Sequence, residues 1–490
     1  MSRARSFSSR KFPHLGWAWP TGQRDQLIVA AICPDDERAL TAIRTWLNET
    51  NLDDATFAEH RLLAAITTRF DERLAGHPEY ARLCGLQRLN WTKSRMAIAA
   101  AKPALEKMVA LGLRPILMKG ACRVALDSSE QKSRTSYDLD LLLSPEDFVG
   151  AFEVLADGGW KSTRGESTLG LRARISSVRA RNFKQGRFGD IDLHQSAYHF
   201  SNQNSECDQR LFETALPVTF HDLALRVPVP EERLAMAIGH GGWDGHNHSD
   251  WLVDAARIIE PGTVDWNLFN EIVKARRLNG AAAIALSYLH HQIGISIPQK
   301  VRDAICGKTS IASPSQIASM FLAKEADSLS LAQRLVREGV ESFHKLRHSG
   351  RDNAVDTPVF RAFTKVFRDA PVRAIALSHQ VDVFEKAQAG TWEFSVTLEI
   401  PAPNKRRRVE FELNGPTRNI CHLQAFHVRT SGQGAQIRFH GRVELQESDF
   451  PLVISALPGK LLDVAEHTAA VDKYGALPFA RIAVEVNAVA

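Results

Sequence analysis

The sequence predicts an α/β core on a short mixed sheet, with helical segments before and after it and a small all-β domain at the C-terminal end. Three observations carry that prediction. Apolar residues recur at helical spacing up to Gly112 and again from Glu231 to about Ala370. Between those stretches lie short apolar runs of strand length, ILMKG, DLDLLL and GDIDLH, separated by turn and helix signals. After Gly390 the pattern shifts to short alternating strands (WEFSVTLEI, RVEFEL, AQIRFHGRVEL, PLVISAL and ARIAVEV) whose spacing suits a sandwich or a barrel.

At 490 residues the chain exceeds the size at which one hydrophobic core keeps growing, so two or three domains are expected. Residues 1–25 read as a leader: MSRARSFSSRKFPHLGWAWP is basic but lacks the continuous apolar core of a signal peptide. Residues 26–112 form a helical region containing FAEHRLLAAITTRF and SRMAIAAAKPALEKMVALG, with Gly112 as the helix stop. The α/β core is expected over 113–205. LRPILMKG gives a strand ending in Lys119-Gly120, and a helix over 121–127 comes before the strand that holds Asp138 and Asp140. SPEDFVGAFEVLADGGW is the best-marked helix, with Ser144 as candidate N-cap, Pro145 in the first turn, Asp147 at capping-box spacing and Gly158-Gly159 as the end.

A helical domain over 206–385 starts one helix near Ser249, stopped by Pro261-Gly262, and continues through VDWNLFNEIVKARRL and AAAIALSYLHHQIG. Residues 340–357 read as a polar loop, and 386–490 as the β-domain. No apolar run approaches the roughly 18 residues of a membrane span. Six cysteines without a CxxC pair point away from structural zinc and a disulfide framework, and toward a reducing cytoplasm. The net charge of +5 is too mild to demand a polyanionic partner.

The chemistry concentrates in the core. Strand side chains alternate, so Asp138 and Asp140 share one face while the neighbouring leucines anchor the strand. Two carboxylates aimed alike repel unless a cation or another partner neutralises them. GDIDLH offers Asp190 and Asp192 on one face together with His194. Lys119-Gly120 stands before a helix, where backbone N–H groups and the helix dipole receive phosphate oxygens. Three carboxylates from two strands make a hard, oxygen-rich site suited to magnesium bridged by substrate phosphates. The rival reading is a solvent-facing strand edge, with Lys119 a snorkelling side chain and Arg134 a loop ion pair.

These residues together resemble a bacterial family of uncharacterised nucleotidyltransferases within the DNA polymerase beta-like superfamily. The resemblance runs from about Leu62 to Val301. It rests on LMKGA at Leu117–Ala121, Arg134 followed by DLDLLLSPED, IDLH at Ile191–His194, and an H…W..D pattern at His240, Trp251 and Asp254. DWNLFNEIVKARRLNG and the SIP at Ser296–Pro298 add to it. The core would then be a polymerase-beta-like nucleotidyltransferase fold. Most superfamily members open the site with Gly-Ser, where this chain has Lys119-Gly120, so a lysine would meet phosphate in place of a serine hydroxyl.

The resemblance implies that Asp138, Asp140 and Asp192 hold two magnesium ions and that Asp192 helps deprotonate the acceptor. Asp190 stands as rival third carboxylate. Lys119, Gly120, Arg134, His194 and Trp251 are implied on the nucleotide side, with ATP the expected triphosphate and pyrophosphate the leaving group. The acceptor is open between a small hydroxylated molecule, a sugar, a tRNA end and a protein side chain. The C-terminal β-domain lies outside the resemblance and is a place for acceptor selection or partner docking. A non-catalytic nucleotide-binding or scaffold protein of the same fold is the alternative. No Walker A or kinase motif supports γ-phosphoryl transfer.

Other motifs weigh less. Lys161–Arg187 carries Arg164, Arg172, Arg174, Arg179, Arg181 and Lys184 with Glu166 as its one acidic residue, which reads as a phosphate-attracting wall or as a solvated hairpin. GHGGWDGHNHSDW, with His240, His246, His248 and Asp250, matches no common zinc spacing. Lys405-Arg406-Arg407-Arg408 and TSGQG at Thr430–Gly434 read as hairpin turns.

Overall fold

A computed structural model describes residues 23–163, 171–172, 175, 178–199, 202–243, 249–306, 330, 332, 377–380, 389–400, 407–415, 419–428, 435–450, 452–458 and 481–488. The expected leader up to residue 22, the loop over 340–357, His246, His248, Arg164, Arg174, Lys405, Arg406 and the TSGQG turn lie outside the described residues. The chain divides into two compact units, Met1–Ser144 with Arg187–Glu341, and Pro145–Gly186 with Ser342–Ala490. Among the described residues no helix is long and apolar enough to cross a membrane.

The first unit begins with helices α1 (Gln23–Ile32), α2 (Asp36–Glu49), α3 (Phe57–Arg69), α4 (Asp71–Leu74) and the long α5 (Tyr80–Ala110). Local chemistry fixes their ends. Asp35 accepts from the backbone N–H groups of Glu37 and Arg38 at the start of α2. Thr56 and Glu59 form a reciprocal capping box on α3. Gly112 stops α5 as expected: its φ of 78° is left-handed, and its N–H reaches the Val109 carbonyl while that of Leu113 reaches Met108.

The sheet of this unit uses β1 (Ile116–Leu117), β2 (Leu139–Leu142), β5 (Gly189–His194), β6 (Leu216–Phe220) and β7 (Leu223–Val227), in the order β5-β2-β1-β7-β6. It is mixed, as expected. β2 runs parallel to β5 and β1 parallel to β7, while β1–β2 and β6–β7 are antiparallel. Helix α6 (Lys119–Leu126) follows β1, beginning two residues before the expected start. After β5 come α8 (Ser205–Thr214), α9 (Pro230–Ile238), α10 (Asp250–Ile259), α11 (Trp266–Ala275), α12 (Asn279–Tyr288) and α13 (Gln299–Cys306).

One apolar core joins α1–α3 to α9–α12, through residues such as Leu27, Trp46, Leu234, Leu252, Phe269 and Leu286. A buried charge within it is paired. Arg276, fully buried, pairs with Asp208 at 2.7 Å and stacks 3.8 Å from the Tyr198 ring centroid.

In the second unit, α7 (Pro145–Asp157) starts on its proline, and Gly159 follows it in the left-handed region with φ 79°. It packs Phe152 against Phe183 of β4 (Ala180–Gln185), which pairs antiparallel with β3 (Lys161–Ser162). The C-terminal strands form two antiparallel sheets. β8 (Leu377–Gln380), β10 (Arg407–Asn414), β11 (Asn419–Val428) and β13 (Val453–Pro458) make one, in the order β11-β10-β13-β8. β9 (Gly390–Ile400), β12 (Ala435–Leu445) and β14 (Arg481–Ala488) make the other, in the order β12-β9-β14. Within the described part of the basic stretch, Arg172 binds Glu153 at 2.6 Å and Arg181 is buried, while Lys184 and Arg187 are exposed.

Candidate active site

Leu139, Leu141, Leu142 and Leu143 are all buried, so β2 is clamped on both faces and cannot slide. That clamp fixes Asp140, itself buried, and places Asp138 just before the strand on the same side. The parallel register with β5 sets Asp140 opposite Asp192 and Leu139 opposite Ile191. His194 Nε2 lies 3.1 Å from Asp140 Oδ1 and 2.9 Å from Asp192 Oδ2. Ligand atoms of Asp140, Asp192 and His194 all fall within 4.8 Å of one another.

The Lys119-Gly120 turn meets this cluster from β1. Lys119 adopts φ 47°, a left-handed conformation that a side chain rarely takes, and its Nζ lies 2.5 Å from Asp140 Oδ1. Gly120 is required by crowding. A Cβ there would come within 2.9 Å of Ser136 Oγ and 3.1 Å of Ser136 Cβ. Ser136 is itself held by Ser94, whose Oγ accepts its N–H at 3.0 Å.

The electrostatics separate the carboxylates. Burial alone would raise Asp140, but Lys119 and His194 hold it well below the usual carboxylate range. Asp192 is likewise lowered, burial being overcome chiefly by His194. Burial and the neighbouring Asp140 charge push Asp138 up to about 6. The two cations respond in the opposite sense. Burial works against both, yet Asp140, Asp192 and Asp138 raise Lys119, and Asp192 with Asp140 raises His194. Two cations thus face three carboxylates in the cluster.

A cavity of about 710 Å³, lined wholly by the first unit, opens over these residues. Asp138, Asp140 and Asp192 line it together with Lys119 and Gly120, whereas Asp190 is not among the lining residues. Trp251 and His240 also line it, and Trp251 is buried against the backbone of Gly241. Arg134 also lines the cavity, but its guanidinium is engaged. It meets Asp250 at 2.5 Å and Asp254 at 3.0 Å, two carboxylates one turn apart on α10. Asp250 also receives Arg61 at 2.5 Å, and Asp254 receives Arg123 at 3.0 Å.

The sequence reading brought together Asp138, Asp140, Asp192, His194, Lys119 and Gly120, and the structure places them in one cluster. It did not anticipate Arg61, Arg123, Glu130 or Arg233 in the wall. The one available signal was the i, i+4 spacing of Asp250 and Asp254 ahead of an apolar helix face. Residues 55–294 match the model of a family described as uncharacterised nucleotidyltransferase. Comparison with curated proteins and with solved structures found no match.

Proposed function

With residues 55–294 belonging to the uncharacterised nucleotidyltransferase family, we propose that the protein transfers a nucleoside monophosphate from a nucleoside triphosphate, ATP foremost, to an acceptor hydroxyl and releases pyrophosphate. The observation that carries this reading is the β2–β5 register, which sets Asp140 beside Asp192 on the floor of the cavity with Asp138 next to them. The residues fit a hard divalent cation. Their donors are mainly carboxylate oxygens, and Asp192 Oδ1 is a buried acceptor atom without a hydrogen-bond partner. Asp138, Asp140 and Asp192 would hold it, or a pair of such ions. Magnesium bound there would supply Lewis acidity at the α-phosphate and neutralise the leaving pyrophosphate.

The chain's own groups do the rest. Asp192 is the base within reach of an acceptor hydroxyl, kept ionised at neutral pH by His194. His194 bridges Asp140 and Asp192 and fixes their spacing. Lys119 and Gly120, at the head of α6, would meet a phosphate oxygen. Arg134 shapes the wall through Asp250 and Asp254, and Trp251 closes it on the nucleoside side. Catalysis then comes from alignment and electrostatic preorganisation.

The test is direct. The protein is incubated with magnesium, each α-labelled NTP and pools of hydroxylated acceptors, and pyrophosphate and labelled products are measured. Asp138→Asn with Asp140→Asn should lower turnover by about a hundredfold or more. Undiminished turnover in that variant sinks the proposal. One observation favours the second reading, a nucleotide-binding scaffold: Lys119 already neutralises Asp140. NTP binding without pyrophosphate release across all acceptor pools would support it.

A further inference from the structure

Six permanently cationic side chains line the cavity: Arg61, Lys119, Arg123, Arg134, Arg233 and Arg257. Five are already matched by carboxylates of the protein. Arg61 pairs with Asp250 and Lys119 with Asp140, each at 2.5 Å. Arg123 pairs with Glu130 at 2.5 Å and Arg134 with both Asp250 and Asp254. Arg257 pairs with Glu260 at 2.9 Å. Arg233 has no such match among the described residues. Its Nε is buried without a hydrogen-bond partner, and its guanidinium lies against the Cys122 side chain. Burial pushes that thiol up to about 12 despite the pull of Arg233, so no thiolate forms there at neutral pH to neutralise the guanidinium.

The position of Arg233 matters as much as its charge. It lies on α9, where Arg233, Met236 and Ala237, followed by His240 just past the helix end, are spaced to present one face to the cavity. It touches α6 at Cys122, three residues beyond Lys119, and i, i+3 residues share a helix face. Three residues are about 4.5 Å of helix rise. The unmatched cation therefore meets α6 about one helical turn beyond Lys119, in the wall of the same cavity as the carboxylate cluster. A triphosphate held at the cluster has this second cation in the same wall.

We propose that Arg233 receives the β- and γ-phosphates of the nucleotide and holds the pyrophosphate as it leaves. This assignment rests on the nucleotidyltransferase reading and adds to it a residue that no motif marks. The other lining arginines are spent on the protein's own carboxylates, so their removal should weaken phosphate binding far less. Arg233 is the lining arginine with charge left to give.

The test is equilibrium binding to the full-length protein with magnesium, using α,β-methylene-ATP, AMP and inorganic pyrophosphate as probes. Arg233→Gln should weaken α,β-methylene-ATP and pyrophosphate by about ten- to a hundredfold and AMP by less than about twofold. Arg233→Lys should recover part of the loss, and it serves as the reporter if the glutamine variant does not fold. Arg257→Gln, removing a matched charge, should cost under about threefold. If wild-type protein binds α,β-methylene-ATP and Arg233→Gln binds it equally well, the Arg233 assignment is wrong and the broader reading stands. An equal loss for AMP also overturns it, since the side chain then serves the nucleoside or the cavity shape. If wild-type protein binds none of the three probes, the nucleotidyltransferase reading itself falls.

Discussion

Replacing Lys119 by methionine should make the metal-free protein less stable and make it bind divalent metal more tightly. The reason is that Lys119 Nζ already stands 2.5 Å from Asp140 Oδ1, where an incoming cation would have to compete with it. A hydrogen bond between charged groups contributes about 1.5–3 kcal/mol net. If a metal ion must displace that bond, its removal tightens metal binding by roughly ten- to a hundredfold, at about 1.4 kcal/mol per tenfold. Without metal the same change leaves Asp140 with His194 alone, beside Asp138 and Asp192. Breaking a buried pair by deleting one partner costs about 3–5 kcal/mol. The low end applies, because 26% of the Lys119 side chain is exposed. Calorimetric titration of manganese into metal-stripped protein, without nucleotide, reads the first effect. Urea unfolding in chelator and in excess magnesium reads the second. Manganese affinity unchanged or weakened in Lys119→Met would refute the competition.

Two further outcomes follow from the same geometry. Asp254→Asn removes a shared partner of Arg134 and Arg123, both nearly buried, and should lower stability by about 3–5 kcal/mol, read as a fall in the urea midpoint. Asp138 has a folded-state pKa of about 6 against an ordinary 3.8, so the folded protein holds its proton more tightly than the unfolded chain does. Its contribution to stability therefore falls as pH rises from about 4 to about 6 and stays low above that. In chelator, Asp138→Asn should gain on wild type by at most about 3 kcal/mol at pH 8, less after solvent screening of this half-buried group, and nothing at pH 4. An equal effect at both pH values in urea titrations would contradict the assignment.

Much of this was legible because the relevant signals are local. The leucines around Asp140 declare a buried strand, Gly112 and Pro145 punctuate helices, and period-two alternation puts Asp138 with Asp140 and Asp190 with Asp192. Alternation could not choose between Asp190 and Asp192, since both point the same way. The choice depends on which carboxylate the parallel register brings to Asp140, a pairing between strands about 50 residues apart. Arg134 shows the limit more sharply. Its environment is made by α10, and nothing beside it in the sequence signals that two carboxylates will close on it. Arg233 was invisible for a different reason, because its distinction is a missing partner, and that appears only when every neighbouring charge has been placed.

The Arg134–Asp254 pair spans 120 residues of chain. During synthesis the guanidinium emerges long before either of its carboxylates, and a charge of that kind cannot be sealed into a low-dielectric wall alone. The segment leading into β2 must therefore stay hydrated until α10 has left the ribosome. Unit 1 is discontinuous in sequence, and this pair adds a timing constraint to that topology. A nascent chain arrested before Asp250 would carry every carboxylate of the cluster and still lack a finished cavity.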